Sequence, residues 1–304
     1  MTRVAALDCG TNSLRLLVAD VADGRLTDVH RAMQVVRLGQ DVDRTGELAA
    51  DALERTREAL VGFAAVAAEL GAERTRLVAT SATRDARNRD VFVQLVQDVL
   101  GVPPEVVSGE EEAALSFDGA TRDLDPTEGP FLVVDVGGGS TELALGTEQV
   151  EAALSVDVGC VRLTERHLRS DPPTAAEVAA AEADVDAALV RVREVVPVER
   201  AQLAVGLAGS VTTVAAHVLQ LPEYRSERIH RARLPAADLV RSCSELIAMT
   251  RADRAALPYM HPGRVDVIGA GALVVRTLVE RLEWPELLAS EADILDGIAW
   301  SAAR

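Results

Sequence analysis

Short apolar runs bounded by turn residues alternate with amphipathic stretches along the chain, and one pairing of runs occurs twice. Residues 4–19 read VAALDCGTNSLRLLVA and residues 131–146 read FLVVDVGGGSTELALG. Aligned, they match Asp8 to Asp135, Gly10 to Gly137, Ser13 to Ser140 and Leu16 to Leu143. An apolar run of this length between turn residues predicts a buried strand, so each copy predicts a β-hairpin whose tight turn carries Asp, Gly and Ser. Such a repeat predicts two similar domains facing one ligand.

Further strands are expected at 26–38, 76–80, 105–107, 151–156 and 203–207. Apolar spacing of three and four predicts helices at 51–70, 90–100, 109–122 and 174–196. Another helix should open at 208–210, and the remainder reads as mostly helical, at 236–250, 264–282 and 291–302. Strands alternating with helices mean an α/β protein. The turn-rich segment 123–130 (DLDPTEGP) is the best boundary. The expected domains are therefore 1–125 and 126–289, with a C-terminal segment 290–304 that can pack back on the first domain.

With 304 residues the chain can build two cores. No apolar run is long enough to span a membrane, and no signal-like segment opens the chain. Cys9, Cys160 and Cys243 have neither disulfide-framework nor metal spacing and read as small apolar residues of a reduced, cytoplasmic protein. A net charge of −17 argues against nucleic acid or an anionic membrane as partner. A homodimer stays open. The chain has no lysine, which excludes a Walker-A loop and Schiff-base chemistry. Its arginines suit phosphate, because the planar guanidinium donates two hydrogen bonds at once.

Five segments carry candidate chemistry. In the first turn, Thr11, Asn12 and Ser13 offer donors to phosphate oxygens. In the second, Gly137, Gly138, Gly139 and Ser140 form an anion-binding nest of backbone N–H groups. Asp135, Glu142 and Asp8 are candidate ligands for Mg²⁺, which takes few carboxylates and several waters; Mn²⁺ is an alternative. Arg15 occupies the repeat position of Glu142, which suggests one turn specialised for phosphate and the other for metal and water. In SGEEEA (108–113), Glu112 is the candidate general base, while acidic residues in a helix's first turn also simply complement its dipole. TSATR (80–84) offers Arg84 as an anion ligand, with Arg87 and Arg89 undecided. Gly209 and Ser210 open a helix whose N–H groups attract phosphate. The five histidines lack ligand spacing, and His261 beside Pro262 reads as a loop residue.

Together DCGTNS, TSATR, SGEEEA, DVGGGSTE and AGSVTT, with GRVDVIGAGALV (263–274) and SEADILDGIAW (290–300), resemble the Ppx/GppA family of exopolyphosphatases and guanosine pentaphosphate phosphatases. The resemblance covers essentially the whole chain and is similar to the short, two-domain actinobacterial members. It implies two actin-like (ribonuclease H-like) domains with the active site between them, and Mg²⁺-dependent hydrolysis of a terminal phosphoanhydride. By motif, Glu112 matches the base. Asp135 and Glu142 match residues near metal and water, and Glu142 is expected to be catalytic alongside Glu112. Thr11 to Ser13 and Gly137 to Ser140 match phosphate loops, and Arg84 matches a substrate-binding Arg. Ser210 stands where Thr is more usual. Short-chain polyphosphate is the expected substrate and pppGpp the alternative. An ATP-dependent kinase and a non-catalytic sensor of polyphosphate or (p)ppGpp are further readings.

Overall fold

A computed structural model describes every residue from Met1 to Arg304. The chain begins with β1 (Thr2–Cys9), β2 (Ser13–Ala22), β3 (Arg25–Val35), α1 (Val42–Thr45), α2 (Ala50–Glu69), β4 (Arg74–Ala79), α3 (Ser81–Asp85), α4 (Arg89–Leu100), β5 (Glu105–Val106) and α5 (Gly109–Thr121). It continues with β6 (Phe131–Val136), β7 (Thr141–Gly146), β8 (Val150–Val156), α6 (Cys160–Arg166), α7 (Ala175–Val195), β9 (Leu203–Leu207), α8 (Ala208–Val218) and α9 (Ser226–Ile229). It ends with β10 (Arg233–Pro235), α10 (Ala236–Ala248), α11 (Arg251–Ala255), α12 (Ile268–Arg281), β11 (Glu286–Ala289) and α13 (Ile294–Ala302). None of these helices is long and apolar enough to cross a membrane.

Two compact units emerge. One comprises Met1–Gly119 together with Ile294–Arg304, and the other Ala120–Asp293. The first unit's sheet has the order β3-β2-β1-β4-β5, in which β1, β2 and β3 are antiparallel neighbours while β4 and β5 run parallel to β1. The second unit repeats this plan as β8-β7-β6-β9-β11, with β10 added at the edge. These are two actin-like, ribonuclease H-like sheets, the topological counterpart of the sequence repeat.

Period-two alternation sorts the first sheet's side chains onto its two faces. Ala5, Leu7, Leu14, Leu16 and Val18 join Leu60 and Phe63 of α2 and Phe92 and Val96 of α4 in one core. Val4, Ala6, Leu17, Ala19 and Val78 face the other way and pack with Ile294, Leu295, Ile298 and Ala299 of α13. In the second unit, α12 sits at the centre of the core against α10, α7, α8 and α6.

The end of the chain is less purely helical than its spacing predicts. β10 and β11 are strands of three and four residues, β10 ending in Pro235, too short for an alternation to register. α12 starts at Ile268 rather than 264, because Pro262–Arg264 form a single 3₁₀ turn. α7 opens with a capping box: Thr174 accepts from the Glu177 N–H, and the Glu177 carboxylate accepts from the Thr174 N–H. The backbone N–H groups of Thr174 and Ser170, with their hydroxyls, hold the Glu177 carboxyl down to about 2. A depressed folded-state value stabilises the fold above the unfolded value and loses that contribution as pH falls toward the folded one. Thermal melts of wild type and Glu177→Gln should therefore differ at neutral pH and converge as pH is lowered from about 4.5 toward 2.

Candidate active site

All five candidate segments lie at the carboxyl ends of parallel strands in their own sheets, where open α/β sheets place ligands. In the first unit, β1 delivers Asp8 to the turn 10–13, β4 ends at Thr80, and β5 leads into Ser108 and α5. The Thr80 N–H donates to Cys9 O at 3.2 Å, joining the first two of these segments. In the second unit, β6 delivers Asp135 beside Leu207, the last residue of β9.

The two turns close alike: the Gly10 N–H donates to Ser13 O at 3.0 Å, and the Gly137 N–H to Ser140 O at 3.1 Å. Their flanking charges differ. Asp8 is paired in register with Arg15, whose Nε and Nη2 donate to Asp8 Oδ2 at 2.9 and 2.7 Å. Asp135 is paired with Glu142, and both are buried. Like charges directly opposite one another are unfavourable in a sheet. Glu142 is next to Ser155 of β8 in register, and the Ser155 hydroxyl donates to Glu142 Oε1 at 2.7 Å.

No group of three or more His, Cys, Asp or Glu side chains is arranged to hold a metal ion. The Asp135–Glu142 pair nonetheless fits Mg²⁺, which takes one or two carboxylates and completes its shell with water and phosphate oxygens. Asp8 fits less well, because Arg15 already supplies its counter-charge.

Ser108 caps α5, its Oγ accepting from the Glu111 N–H at 3.1 Å. Of the three glutamates in this first turn, Glu110 and Glu111 are exposed and serve the helix dipole. Glu112 alone is buried, and its Oε2 accepts from Arg84 Nη1 at 2.9 Å. Arg84 Nη1 also donates to Val107 O at 3.1 Å, which fixes the guanidinium between β5's end and α5. Arg84 thus orients Glu112. Arg87 instead reaches Thr45 O and Glu47, away from Glu112, and Arg89 is exposed.

At the β9–α8 junction Ala208 adopts φ 62°, a left-handed conformation uncommon for a residue with a side chain. Gly209 follows, and a Cβ there would fall 1.3 Å from Nη1 of Arg264. Arg264 also donates to Thr213 Oγ1 at 3.4 Å. No local spacing announces this cation beside Gly209, and its one sequence signal is its place in GRVDVIGAGALV. His261 is a loop residue whose Nδ1 accepts from the Gly263 N–H at 3.1 Å. All three cysteines are buried, and burial pushes their thiols up, away from the reactive thiolate.

This geometry meets an independent observation. The sequence matches the profile of the Ppx/GppA phosphatase family over residues 17–303. The chain belongs to that family. It is 53% identical to Exopolyphosphatase 2 of Mycobacterium tuberculosis, an alignment covering 100% of this chain and 99% of that protein. A solved exopolyphosphatase-like protein superposes with a TM-score of 0.95 at 42% identity, covering 98% of each chain. A guanosine-5'-triphosphate,3'-diphosphate pyrophosphatase of Aeromonas salmonicida is 31% identical over 97% of this chain and 58% of its own length.

Proposed function

We propose that this chain removes the terminal phosphate of inorganic polyphosphate, short chains foremost, in a Mg²⁺-dependent hydrolysis. Water attacks the terminal phosphorus. The bridging P–O bond breaks, its electrons going to the oxygen of the shortened chain, and orthophosphate leaves. Glu112 takes the proton from the attacking water. The observation that carries this reading is the burial and orientation of Glu112 by Arg84, which distinguishes it from its two exposed neighbours. A phosphoanhydride is already activated, so positioning and charge neutralisation do most of the work.

Thr11, Asn12 and Ser13 of the first turn, and Gly137 to Ser140 of the second, bind phosphate oxygens in this reading. Gly209 and Ser210, at the start of α8, add to them. Asp135 and Glu142 would hold Mg²⁺, or Mn²⁺ in its place. When bound, the cation neutralises charge on the phosphate oxygens. The relative named Exopolyphosphatase 2 supports the substrate assignment. A cytoplasmic setting, with neither nucleic acid nor membrane as partner, belongs to the same reading.

The Aeromonas relative favours a second substrate, pppGpp, which ends in a phosphoanhydride of the same kind. One assay separates the readings. Purified protein with Mg²⁺ is offered short polyphosphate, long polyphosphate, pppGpp and ATP, and phosphate release is measured. Release from short polyphosphate without any acceptor is expected. Release from pppGpp alone would move the assignment to the second substrate. ATP consumption only with an added acceptor would replace it with a kinase, and binding without turnover with a sensor.

A further inference from the structure

The two glycine turns are held from behind by a duplicated brace. In the first turn, Asn12 O accepts from the N–H groups of Val36 at 3.0 Å and Arg37 at 2.9 Å, and Thr11 O accepts from Gly39 at 2.8 Å. In the second, Gly137 O accepts from the Cys160 N–H at 3.0 Å. Gly138 O accepts from Val161 at 2.8 Å and Arg162 at 3.2 Å. Arg162 adds a side-chain bond, its Nε donating to Gly139 O at 2.7 Å. The bracing segments follow β3 and β8, the third strands of the two sheets. Each contains a glycine where the chains pass closest. A Cβ at Gly39 would lie 2.3 Å from Thr11 Cγ2, and one at Gly159 would lie 2.5 Å from Gly138 O.

In a planar trans peptide the C=O and the following N–H point in opposite directions. Holding the carbonyls of Gly137, Gly138 and Gly139 on segment 159–162 therefore turns the N–H groups of Gly138, Gly139 and Ser140 the other way. None of these three N–H groups donates to a backbone carbonyl. Three adjacent glycine carbonyls are thus satisfied while the matching donors face outward, the arrangement an anion-binding nest requires.

We infer that Arg162 is a positioning residue for the second turn. It acts through Gly139 O, keeping the 139–140 peptide oriented so that the Ser140 N–H stays available to a phosphate oxygen. The inference rests on reading this turn as a phosphate nest. A glycine run has many accessible conformations, and the brace removes that freedom before the ligand arrives. Nε meets a neutral carbonyl, so this bond needs a donor and not a charge.

Two substitutions in the full-length protein separate these properties. Arg162→Met keeps length and apolar stem without a donor. Arg162→Gln supplies an uncharged donor. For Arg162→Met, KM for polyphosphate should rise about tenfold, equivalent to about 1.4 kcal/mol, with kcat changed much less and the melting temperature near wild type. For Arg162→Gln, KM should stay close to wild type. A parallel titration with inorganic pyrophosphate, read from the Gly138, Gly139 and Ser140 amide resonances, should show the same order of affinities. Equal impairment of both variants, or wild-type binding by Arg162→Met, overturns the inference. A wild-type protein that releases no phosphate from polyphosphate instead overturns the functional reading, and the pyrophosphate titration then decides the brace alone.

Discussion

Glu112→Gln should lower turnover on polyphosphate by about 10²–10⁴-fold, the usual contribution of a general base. Gln has nearly the shape of Glu, and its amide oxygen can still accept from Arg84 Nη1, which lies 2.9 Å from Glu112 Oε2. What it cannot do is take a proton. The loss should appear in kcat and in kcat/KM together, with KM little changed, because the interaction is made in the transition state. Thermal melts should confirm a folded variant. The matching substitutions at Glu110 and Glu111, both exposed, should leave turnover near wild type. Near-normal turnover by Glu112→Gln would end the assignment of this residue as base.

Removing residues 294–304 should unfold the first unit. α13 closes one face of its sheet with Ile294, Leu295, Ile298 and Ala299, all buried against Val4, Ala6, Leu17, Ala19 and Val78. A sheet with one apolar face left in water has no second layer to bury it. Arg31 and Asp296 add an ion pair of 2.6 Å from β3 to the helix. The milder variant Ile298→Ala should cost about 2–5 kcal/mol, the range for a large-to-small change at a fully buried site. That is a large part of the roughly 5–15 kcal/mol that holds a typical protein folded. Hydrogen exchange reads the truncation directly. Amides of β1, β2 and β4 should lose protection while those of β6, β7 and β9 keep it. Persistent protection in β1 would show that the sheet does not depend on α13.

Both hairpins and most helices could be read from the sequence because their information is local. A 16-residue block contains most of β1, its turn and much of β2, so the register that sets Asp8 against Arg15 follows once the hairpin is accepted. The choice of Glu112 over Glu110 and Glu111 rests on its motif position before Ala113; that it alone is buried depends on what α5 packs against. What could not be read depends on distant partners. Arg264 lies far along the chain from the Gly209 it covers. β11 is four residues long and is a strand only because β9 offers an edge. Arg162 lies in the first turn of α6, and nothing near it announces that Gly139 O is its acceptor.

The first unit is assembled from both ends of the chain, with residues 120–293 intervening. A ribosome therefore releases all of the second unit before the last helix of the first exists. Until α13 emerges, Val4, Ala6, Leu17, Ala19 and Val78 have no cover, and the nascent first sheet is open to chaperones and proteases. The second unit can fold during that interval. Once folded, it replaces a long flexible loop by a compact insert, which reduces the chain entropy lost when α13 returns to β1. Synthesis order thus favours completing the unit that carries Asp135 and Glu142 first and sealing the unit that carries Glu112 last.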